Sequence, residues 1–318
     1  MLSIMTLSIR SLKAVVAVVV LAAFLPQCVP SPSQPAPESV ETGPVIPRAP
    51  RSQRATFRVA AIQFISEFGN PKGNIARLIQ LITQAAKHGA KVVVLPETCV
   101  TGYASFDLKT VWGVEGRSLP LGKKGVSPVG VAEDSNGPSV SALTDLAGQL
   151  RIYLTIPFVE VDTGSGRYFN TTILVGPDGK NLLHYQKLNP WPPGEIGWAT
   201  KCDRGHQYID TPYGRLGLLT CFDILFEQPP MKAASVETLL YSIAWADPKI
   251  IEWFDKGLSA AAKANGFNIV AANWTVPPTP DWRGYGQTEI IADDGTVLAK
   301  VKNDLADEII YADLPMGN

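Results

Sequence analysis

The sequence predicts an α/β domain over about residues 55–318, and two observations carry this prediction. A strand at 57–64, a helix at 70–89 and a strand at 91–95 follow one another without room for a hairpin, which is typical of a βαβ unit with parallel strands. Short apolar runs then recur along the chain and end in turn signals or polar groups. The pattern therefore indicates one layered domain.

The first unit has clear local signals. The run FRVAAIQF, Phe57 to Phe64, is apolar and rich in strand-forming residues, and KVVVL, Lys91 to Leu95, is a second such run. Between them, Asn70 is a helix cap and Pro71 lies in the first turn, after which apolar residues recur at helical spacing until Gly89.

The middle of the chain is less regular. Residues 103–138 lose the pattern, which predicts a long surface excursion that could rim a pocket. Helical spacing returns at 139–150, and a strand follows at 153–161. Runs at 170–175 and 182–186 flank a Pro-Asp-Gly turn signal, so we expect an antiparallel hairpin there.

The second half again alternates strands and helices. Its first strand is the apolar run Leu216 to Leu219, and a later hairpin turns at an Asp-Asp-Gly signal. The other predicted elements are, in order, a helix at 229–238, a strand at 239–242, a helix at 251–265, a strand at 268–272, hairpin strands at 287–292 and 297–302, and an edge strand at 308–313.

The first residues predict export. Arg10 and Lys13 precede twelve apolar residues, Ala14 to Leu25, which is the length of a signal-peptide core and too short to span a bilayer comfortably. We therefore assign residues 1–27 to a signal peptide and residues 28–54 to a Pro/Ser-rich linker. The expected location is periplasmic or extracellular.

Cys28 stands directly after this leader and resembles the lipidated cysteine of a bacterial lipoprotein. Pro26 and Gln27 depart from the small residues of that motif, so lipid anchoring and soluble secretion both stay open. Three further cysteines follow, and an odd number in an exported protein indicates at least one free thiol. A disulfide between Cys99 and Cys202 is one alternative that the sequence leaves open.

The net charge, the spacing of the histidines and the motifs of the sequence exclude several classes of function. A formal net charge of −1 gives no electrostatic footprint for nucleic acid. His88, His184 and His206 lie far apart without ligand spacing, so no metal site is expected. Serine-hydrolase, Walker and dinucleotide-binding motifs are missing from the sequence, and we expect no cofactor.

Three predicted strands end in residues that carry chemistry: Glu97, Lys187 and Cys221. In α/β proteins, ligands collect beyond the carboxyl ends of strands, so a cysteine there can meet a substrate. Each residue has a structural alternative when taken alone. The cysteine could be a small buried hydrophobe, the glutamate a salt-bridge partner and the lysine a solvated cation.

Together these residues supply what amide cleavage requires. The thiolate of Cys221 is the nucleophile, and Glu97 can serve as base and then as acid. Lys187 and the N–H of Phe222 can stabilise the oxyanion. A cysteine–histidine pair is disfavoured, because His184 lies three residues before Lys187 on a predicted strand and should face the opposite side.

The chain resembles the nitrilase, or carbon–nitrogen hydrolase, superfamily. The resemblance rests on three motifs in order, LPETCVTGY, HYQKLNPWPPGE and GLLTCFDILFEQP. It implies a four-layer α-β-β-α sandwich with Glu97, Lys187 and Cys221 as the catalytic triad. It also implies that Glu195 orients the lysine and the substrate amine, and that Tyr103 supports the site.

The same resemblance places Trp245 and Asn273 at the pocket, with core packing as the alternative. The stretches TCFDILF and YSIAW are similar to biotinidase and pantetheinase (vanin-like) enzymes, whereas YQKLNPWPPGE is similar to aliphatic amidases. An amide of a small or vitamin-like acyl group is the expected substrate. Family members commonly associate, so a homodimer or a higher homo-oligomer is expected.

Three functions remain in competition. The leading one is an exported amidase that acts through an acyl-thioester on Cys221. The second is a nitrilase that uses the same triad on a carbon–nitrogen triple bond. The third is an anchored binding protein that keeps the pocket without turnover.

Overall fold

Two six-stranded sheets form the centre of the protein. The computed structural model describes residues 54–245, 253–277 and 286–317, so the predicted signal peptide and almost all of the linker, with Cys28, lie outside the described residues. The described residues all fall within the unit Arg48–Asn318. Among them, no helix combines the length and the apolar character that crossing a membrane requires.

The first sheet begins with the predicted βαβ unit. Its strands, in spatial order, are β14 (Glu308–Pro315), β1 (Thr56–Gln63), β2 (Val92–Val94), β5 (Tyr153–Asp162), β6 (Arg167–Val175) and β7 (Asn181–Gln186). β1 and β2 pair in parallel, with Val59 opposite Val92. β6 and β7 pair antiparallel, which confirms the predicted hairpin.

The second sheet has parallel strands at its centre. Its strands, in spatial order, are β13 (Val297–Lys300), β12 (Glu289–Ile291), β11 (Asn268–Asn273), β10 (Thr238–Ile243), β9 (Gly214–Thr220) and β8 (Gln207–Thr211). β9, β10 and β11 run parallel, and the predicted hairpin of β12 and β13 is antiparallel. A parallel bridge between Phe64 and Trp274, the residues directly after β1 and β11, brings the carboxyl ends of the two sheets together.

Helices complete the layers. They are α1 (Pro71–Lys87), α2 (Pro138–Leu150), α3 (Pro192–Glu195), α4 (Gln228–Ala233) and α5 (Leu258–Asn265). Leu78 of α1 and Leu143 of α2 pack into one apolar core with residues of the first sheet. Leu258 and Ala262 of α5 join the second core, which continues between the two sheets. The architecture is the α-β-β-α sandwich that the resemblance implies.

The ends of α1 follow from local sequence. The side-chain Oδ1 of Asn70 accepts the N–H of Gly73 at 2.9 Å. Pro71 takes the first helical position, where a missing N–H removes no hydrogen bond. Gly89 then turns the chain with a φ of +89°, which a glycine adopts without steric cost. The predicted helix boundaries are therefore confirmed to within two residues.

Residues 103–138 contain more structure than their sequence predicts. β3 (Thr110–Trp112) and β4 (Lys124–Val126) form a small parallel ladder there. Trp112 is 1% exposed, and its Nε1 donates to the carbonyl oxygen of Gly102 at 2.9 Å. Strands of three residues carry almost no local sequence signal. Here the buried indole of Trp112 holds the ladder in place. β8 was also missed, because it is a half-exposed edge strand.

Two other predicted elements differ in extent. The helix predicted at 229–238 is shorter, since α4 ends at Ala233 and Ser235 adopts a φ of +56°. The helix predicted at 251–265 is described from Trp253 onward, and it opens with a π-helical turn, Trp253–Gly257, before α5.

The three cysteines of the described chain are free thiols. Cys99 is buried against the helices of the first sheet, and its Sγ lies 3.9 Å from the carbonyl oxygen of Pro157. Cys202 contacts the Oε1 of Gln186 at 3.6 Å. The Cys99–Cys202 disulfide, which the sequence left open, is therefore not formed.

Gly102→Ala should lower the free energy of unfolding by more than Gly89→Ala does. The two glycines have φ values of +80° and +89°, so both variants place an alanine in left-handed backbone at about 1–2 kcal/mol. A Cβ at position 102 would lie 2.6 Å from the Cα of Phe68, whereas at position 89 no described atom lies within 4 Å. Denaturant unfolding of both variants checks this prediction, and equal losses would contradict it.

Candidate active site

Three strand ends come together where the two sheets meet. Glu97 lies just after β2, Lys187 follows β7 directly, and Cys221 follows β9 at the start of a short 3₁₀ helix, Cys221–Leu225. The N–H of Glu97 donates to the carbonyl oxygen of Ile243, the last residue of β10, at 3.2 Å. This bond ties the loop after β2 of the first sheet to the carboxyl end of β10, a central strand of the second sheet.

Lys187 is a buried cation between two carboxylates. Its Nζ lies 2.7 Å from the Oε1 of Glu97 and 2.6 Å from the Oε1 of Glu195. Its side chain has no exposed surface. Burial by itself lowers the pKa of an ammonium group, but Glu195 and Glu97 outweigh it and raise the pKa of Lys187 well above its ordinary value. Lys187 is therefore a fixed positive charge.

Glu195 ends the single turn of α3 and is held on both oxygens. Its Oε2 accepts the N–H of Trp191 at 3.0 Å, and its Oε1 accepts the hydroxyl of Tyr103 at 3.0 Å. Burial raises the pKa of Glu195 to about 7, with Lys187 opposing the rise and Glu97 adding to it. The structure thus brings Glu195 and Tyr103, both predicted from the sequence, to the ion pair.

Asn170, on β6, is a member of this cluster that the sequence reasoning did not single out. Its Nδ2 lies 2.6 Å from the Oε1 of Glu97 and 3.3 Å from the Oε1 of Glu195. The sequence holds one signal, since Asn170 is the first residue of a predicted hairpin strand. Its place opposite Lys187 comes from the observed strand pairing. The Oε2 of Glu97 and the Oδ1 of Asn170 are buried without a hydrogen-bond partner among the described residues.

Cys221 combines burial with an unusual backbone. Its φ of +48° is in the left-handed region, and the hydroxyl of Tyr241 donates to its carbonyl oxygen at 2.7 Å. Burial raises the pKa of the Cys221 thiol well above its ordinary value and Glu97 adds to the rise, whereas Lys187 and the N–H of Ala244 favour the thiolate. The thiol therefore holds its proton and lies within electrostatic range of the charged cluster.

Phe222 follows the thiol and is partly buried. Its N–H lies in the first turn of the short 3₁₀ helix, where backbone donors have no acceptor within the helix. Its ring packs edge to face on Phe226, with 5.2 Å between centroids. Its N–H is thus next to Cys221 in the short helix, and its role as the oxyanion donor stays a prediction.

Trp245 and Asn273 are placed in the framework around the cluster. The Oδ1 of Asn273 accepts the N–H of Trp245 at 3.0 Å, and its Nδ2 donates to the carbonyl oxygen of Gly286 at 2.7 Å. Asn273 therefore bridges two backbone segments, which fits the core-packing alternative. Trp245 packs on Phe254 with 4.9 Å between centroids, and its contact with a substrate stays a prediction.

A second polar network, absent from the sequence predictions, joins the nucleophile turn to the lysine loop. Asp223 is fully buried, and its Oδ2 accepts the hydroxyl of Tyr185 at 2.6 Å. Its Oδ1 accepts the backbone N–H of Asn189 at 2.7 Å. Because Tyr185 and Asn189 bracket Lys187, this carboxylate fixes the lysine loop relative to Cys221.

The histidines near the site are engaged elsewhere. The Nε2 of His184 lies 2.8 Å from the Oε2 of Glu160, and the Nε2 of His206 lies 2.7 Å from the Oε2 of Glu227. The predicted orientation of His184 away from Lys187 agrees with this contact.

Comparison with known proteins shows which family the chain belongs to. The family model for carbon–nitrogen hydrolases matches residues 58–318, and the chain belongs to that family. The omega-amidase of Bos taurus is 28% identical over 278 residues, covering 82% of this chain and 90% of the relative. A bifunctional nitrilase/nitrile hydratase of Lupinus angustifolius is 26% identical over 253 residues, covering 77% and 70%.

Solved structures agree with the fold. A mutant of the Nesterenkonia AN1 amidase, from the nitrilase superfamily, matches with a TM-score of 0.68 and 19% identity, covering 86% of this chain and 94% of that one. At this level of identity the match establishes the shared architecture.

The free energy of unfolding should fall as the pH rises from 4.5, the ordinary pKa of a glutamate, to about 7. In this interval Glu195 keeps a proton in the folded chain that it has lost in the unfolded chain. Stability changes with pH in proportion to the protons bound in the unfolded state minus those in the folded state, so the slope is negative. Denaturant unfolding across this pH range measures it.

Glu195→Gln removes this contribution and should flatten the curve. The matched control is Glu115→Gln, because Glu115 is exposed. Identical slopes in the two variants would contradict the assignment to Glu195.

Proposed function

We propose that the protein is an exported amidase that cleaves the C–N bond of a small linear amide through an acyl-thioester on Cys221. The observation that carries the proposal is the buried contact of Lys187 with Glu97 and Glu195 beside the thiol. Membership of the carbon–nitrogen hydrolase family supports this type of reaction, and an omega-amidase among the relatives supports an amide as substrate.

The first half of the reaction uses the unpartnered oxygen of Glu97. Its Oε2 takes the proton of the Cys221 thiol, and the sulfur forms a bond to the amide carbonyl carbon. An ammonium group has three N–H donors, and two of those of Lys187 go to carboxylates. The third, together with the N–H of Phe222, is suited to the oxyanion that develops.

The second half returns the proton. Glu97 donates it to the leaving nitrogen, the C–N bond breaks, and ammonia or an amine departs while the acyl group stays on sulfur. Water then loses a proton to Glu97 and attacks the thioester. The carboxylic acid leaves, and the thiol of Cys221 regains its proton.

A nitrile substrate is the second candidate, since one relative is a bifunctional nitrilase/nitrile hydratase. The same thiol could add to a carbon–nitrogen triple bond. Turnover of N-substituted amides favours the amidase, because a nitrile carries no such substituent. Turnover of any substrate would exclude the anchored binding protein.

Cys221→Ala should abolish ammonia release from small aliphatic amides, lowering kcat by roughly 10⁴-fold or more, as loss of a catalytic nucleophile does. The measurement uses the full-length chain and a panel of primary amides, N-substituted amides and nitriles. Cys202→Ala is the matched control, because that thiol is also buried but contacts Gln186, and it should keep its activity. Equal activity of Cys221→Ala and wild type would contradict the thiol mechanism, and a folded wild type that is silent on every amide would contradict the amidase.

For localisation, we propose cleavage of residues 1–27 and anchoring of the mature chain by a lipid on Cys28. Fractionation of expressing cells should then find the protein in the membrane fraction, and Cys28→Ser should move it out of that fraction. Mass analysis of the mature N-terminus gives the cleavage site. Retention of the uncleaved chain in the cytoplasm would contradict export, and release of wild type as a free protein would contradict anchoring.

A further inference from the structure

Asn170 is held directly beside the lysine. The strand pairing sets Thr171 opposite Gln186, and the N–H of Lys187 donates to the carbonyl oxygen of Asn170 at 2.8 Å. Asn170 is 1% exposed. Its backbone and side chain therefore both take part in placing the charged groups.

The orientation of its amide follows from its neighbours. Nδ2 faces the Oε1 atoms of Glu97 and Glu195 at 2.6 and 3.3 Å, and carboxylate oxygens only accept hydrogen bonds when ionised. The reversed amide would set its own oxygen against both carboxylates. The donor of Asn170 is therefore the group that the cluster requires.

This contact makes the two oxygens of Glu97 unequal. Oε1 accepts two hydrogen bonds, from the Nζ of Lys187 at 2.7 Å and from the Nδ2 of Asn170 at 2.6 Å. Oε2 is buried without a partner among the described residues. One oxygen is thus anchored, and the other keeps its lone pairs for a proton.

We infer that Asn170 is a positioning residue, which anchors the Oε1 of Glu97 so that its Oε2 is the oxygen that exchanges protons with Cys221 and the leaving nitrogen. This inference rests on the proposed function. It adds a fourth residue to the predicted triad, one that acts through Glu97.

A purely structural role for Asn170 does not account for the hydrogen bonding of its amide. A buried asparagine that only supports the fold is expected to have both ends of its amide paired, since an unpaired buried acceptor costs free energy. Asn170 has its donor paired with the charged cluster and its Oδ1 unpartnered among the described residues. The charged cluster therefore uses the N–H donor of Asn170 and not its amide oxygen.

The test removes the amide donor of Asn170 in two ways, and one of them keeps the shape of the side chain. Asn170→Asp replaces the N–H donor with a carboxyl that can donate only while it holds a proton, and Asn170→Ala removes the donor at every pH. The side chain of Asn170 contacts two titratable groups, Glu97 and Glu195. The other charged and titratable groups of the cluster interact with these carboxylates or with Lys187, and they are Lys187, Tyr103, Cys221 and Asp223. Asn268→Asp is the matched control, because Asn268 is also a buried asparagine but lies at the amino end of β11 and contacts Glu237 and Thr238.

We expect Asn170→Ala to lower kcat by roughly 10²-fold at every pH, with KM changed only a few-fold. Asn170→Asp should approach wild-type kcat at low pH and lose activity as the introduced carboxyl ionises. Asn268→Asp should keep the pH profile of wild type. Equal losses in Asn170→Asp and Asn170→Ala at every pH would indicate packing alone and overturn the inference, as would an unchanged kcat in both.

A second readout does not depend on amide turnover. The rate of Cys221 alkylation by iodoacetamide, followed by peptide mass, reports proton removal from this thiol, with Cys99 and Cys202 as internal references. Alkylation should be at least about tenfold slower in Asn170→Ala than in Asn268→Asp. Glu97 is the base in both variants, and only Asn170→Ala removes the donor that anchors its Oε1. If wild type cleaves no amide but this difference appears, the proposed function fails and the inference stands. If the rates are equal, the inference fails whatever the wild type hydrolyses.

Discussion

The ion pair of Lys187 with Glu97 and Glu195 is the interaction on which the rest of the site depends. A buried ammonium is stable only when opposite charges and hydrogen bonds compensate for lost hydration. Its two partners come from different elements, the loop after β2 and the turn of α3. Burial raises the pKa of Glu195, and the second carboxylate at the same cation, Glu97, adds to the rise. The fold must therefore hold several loops in register around a single nitrogen atom.

Further polar contacts maintain that register. Asp223 links the turn after Cys221 to both sides of the lysine, and Tyr241 secures the carbonyl oxygen of Cys221. A left-handed cysteine is a strained conformation that persists when its surroundings fix it. Cys221 itself is buried, and in such surroundings Lys187 and Glu97 act on the protonation of its thiol with little screening by water. The turn that carries Cys221 is thus supported by Tyr185 of β7 and Tyr241 of β10.

The charged cluster also has an internal order. Asn170 and Lys187 are neighbours on paired strands, and both donate to the Oε1 atoms of Glu97 and Glu195. This arrangement leaves the Oε2 of Glu97 as an acceptor inside a buried site. A carboxylate with one anchored oxygen needs little reorganisation when a proton moves, which is the condition for efficient general acid–base chemistry.

The sequence by itself determined the βαβ unit, the two hairpins and the positions of Glu97, Lys187 and Cys221 at strand ends, because caps, turn residues and apolar periodicity act over a few neighbouring residues. It also indicated Glu195 and Tyr103 through the resemblance of their motifs. The tertiary structure alone decided that Asn170 reaches two carboxylates, that Asp223 holds the lysine loop and that Asn273 bridges backbone segments. Those contacts join residues far apart in the chain, and no local pattern records which buried polar groups will meet when the sheets pack.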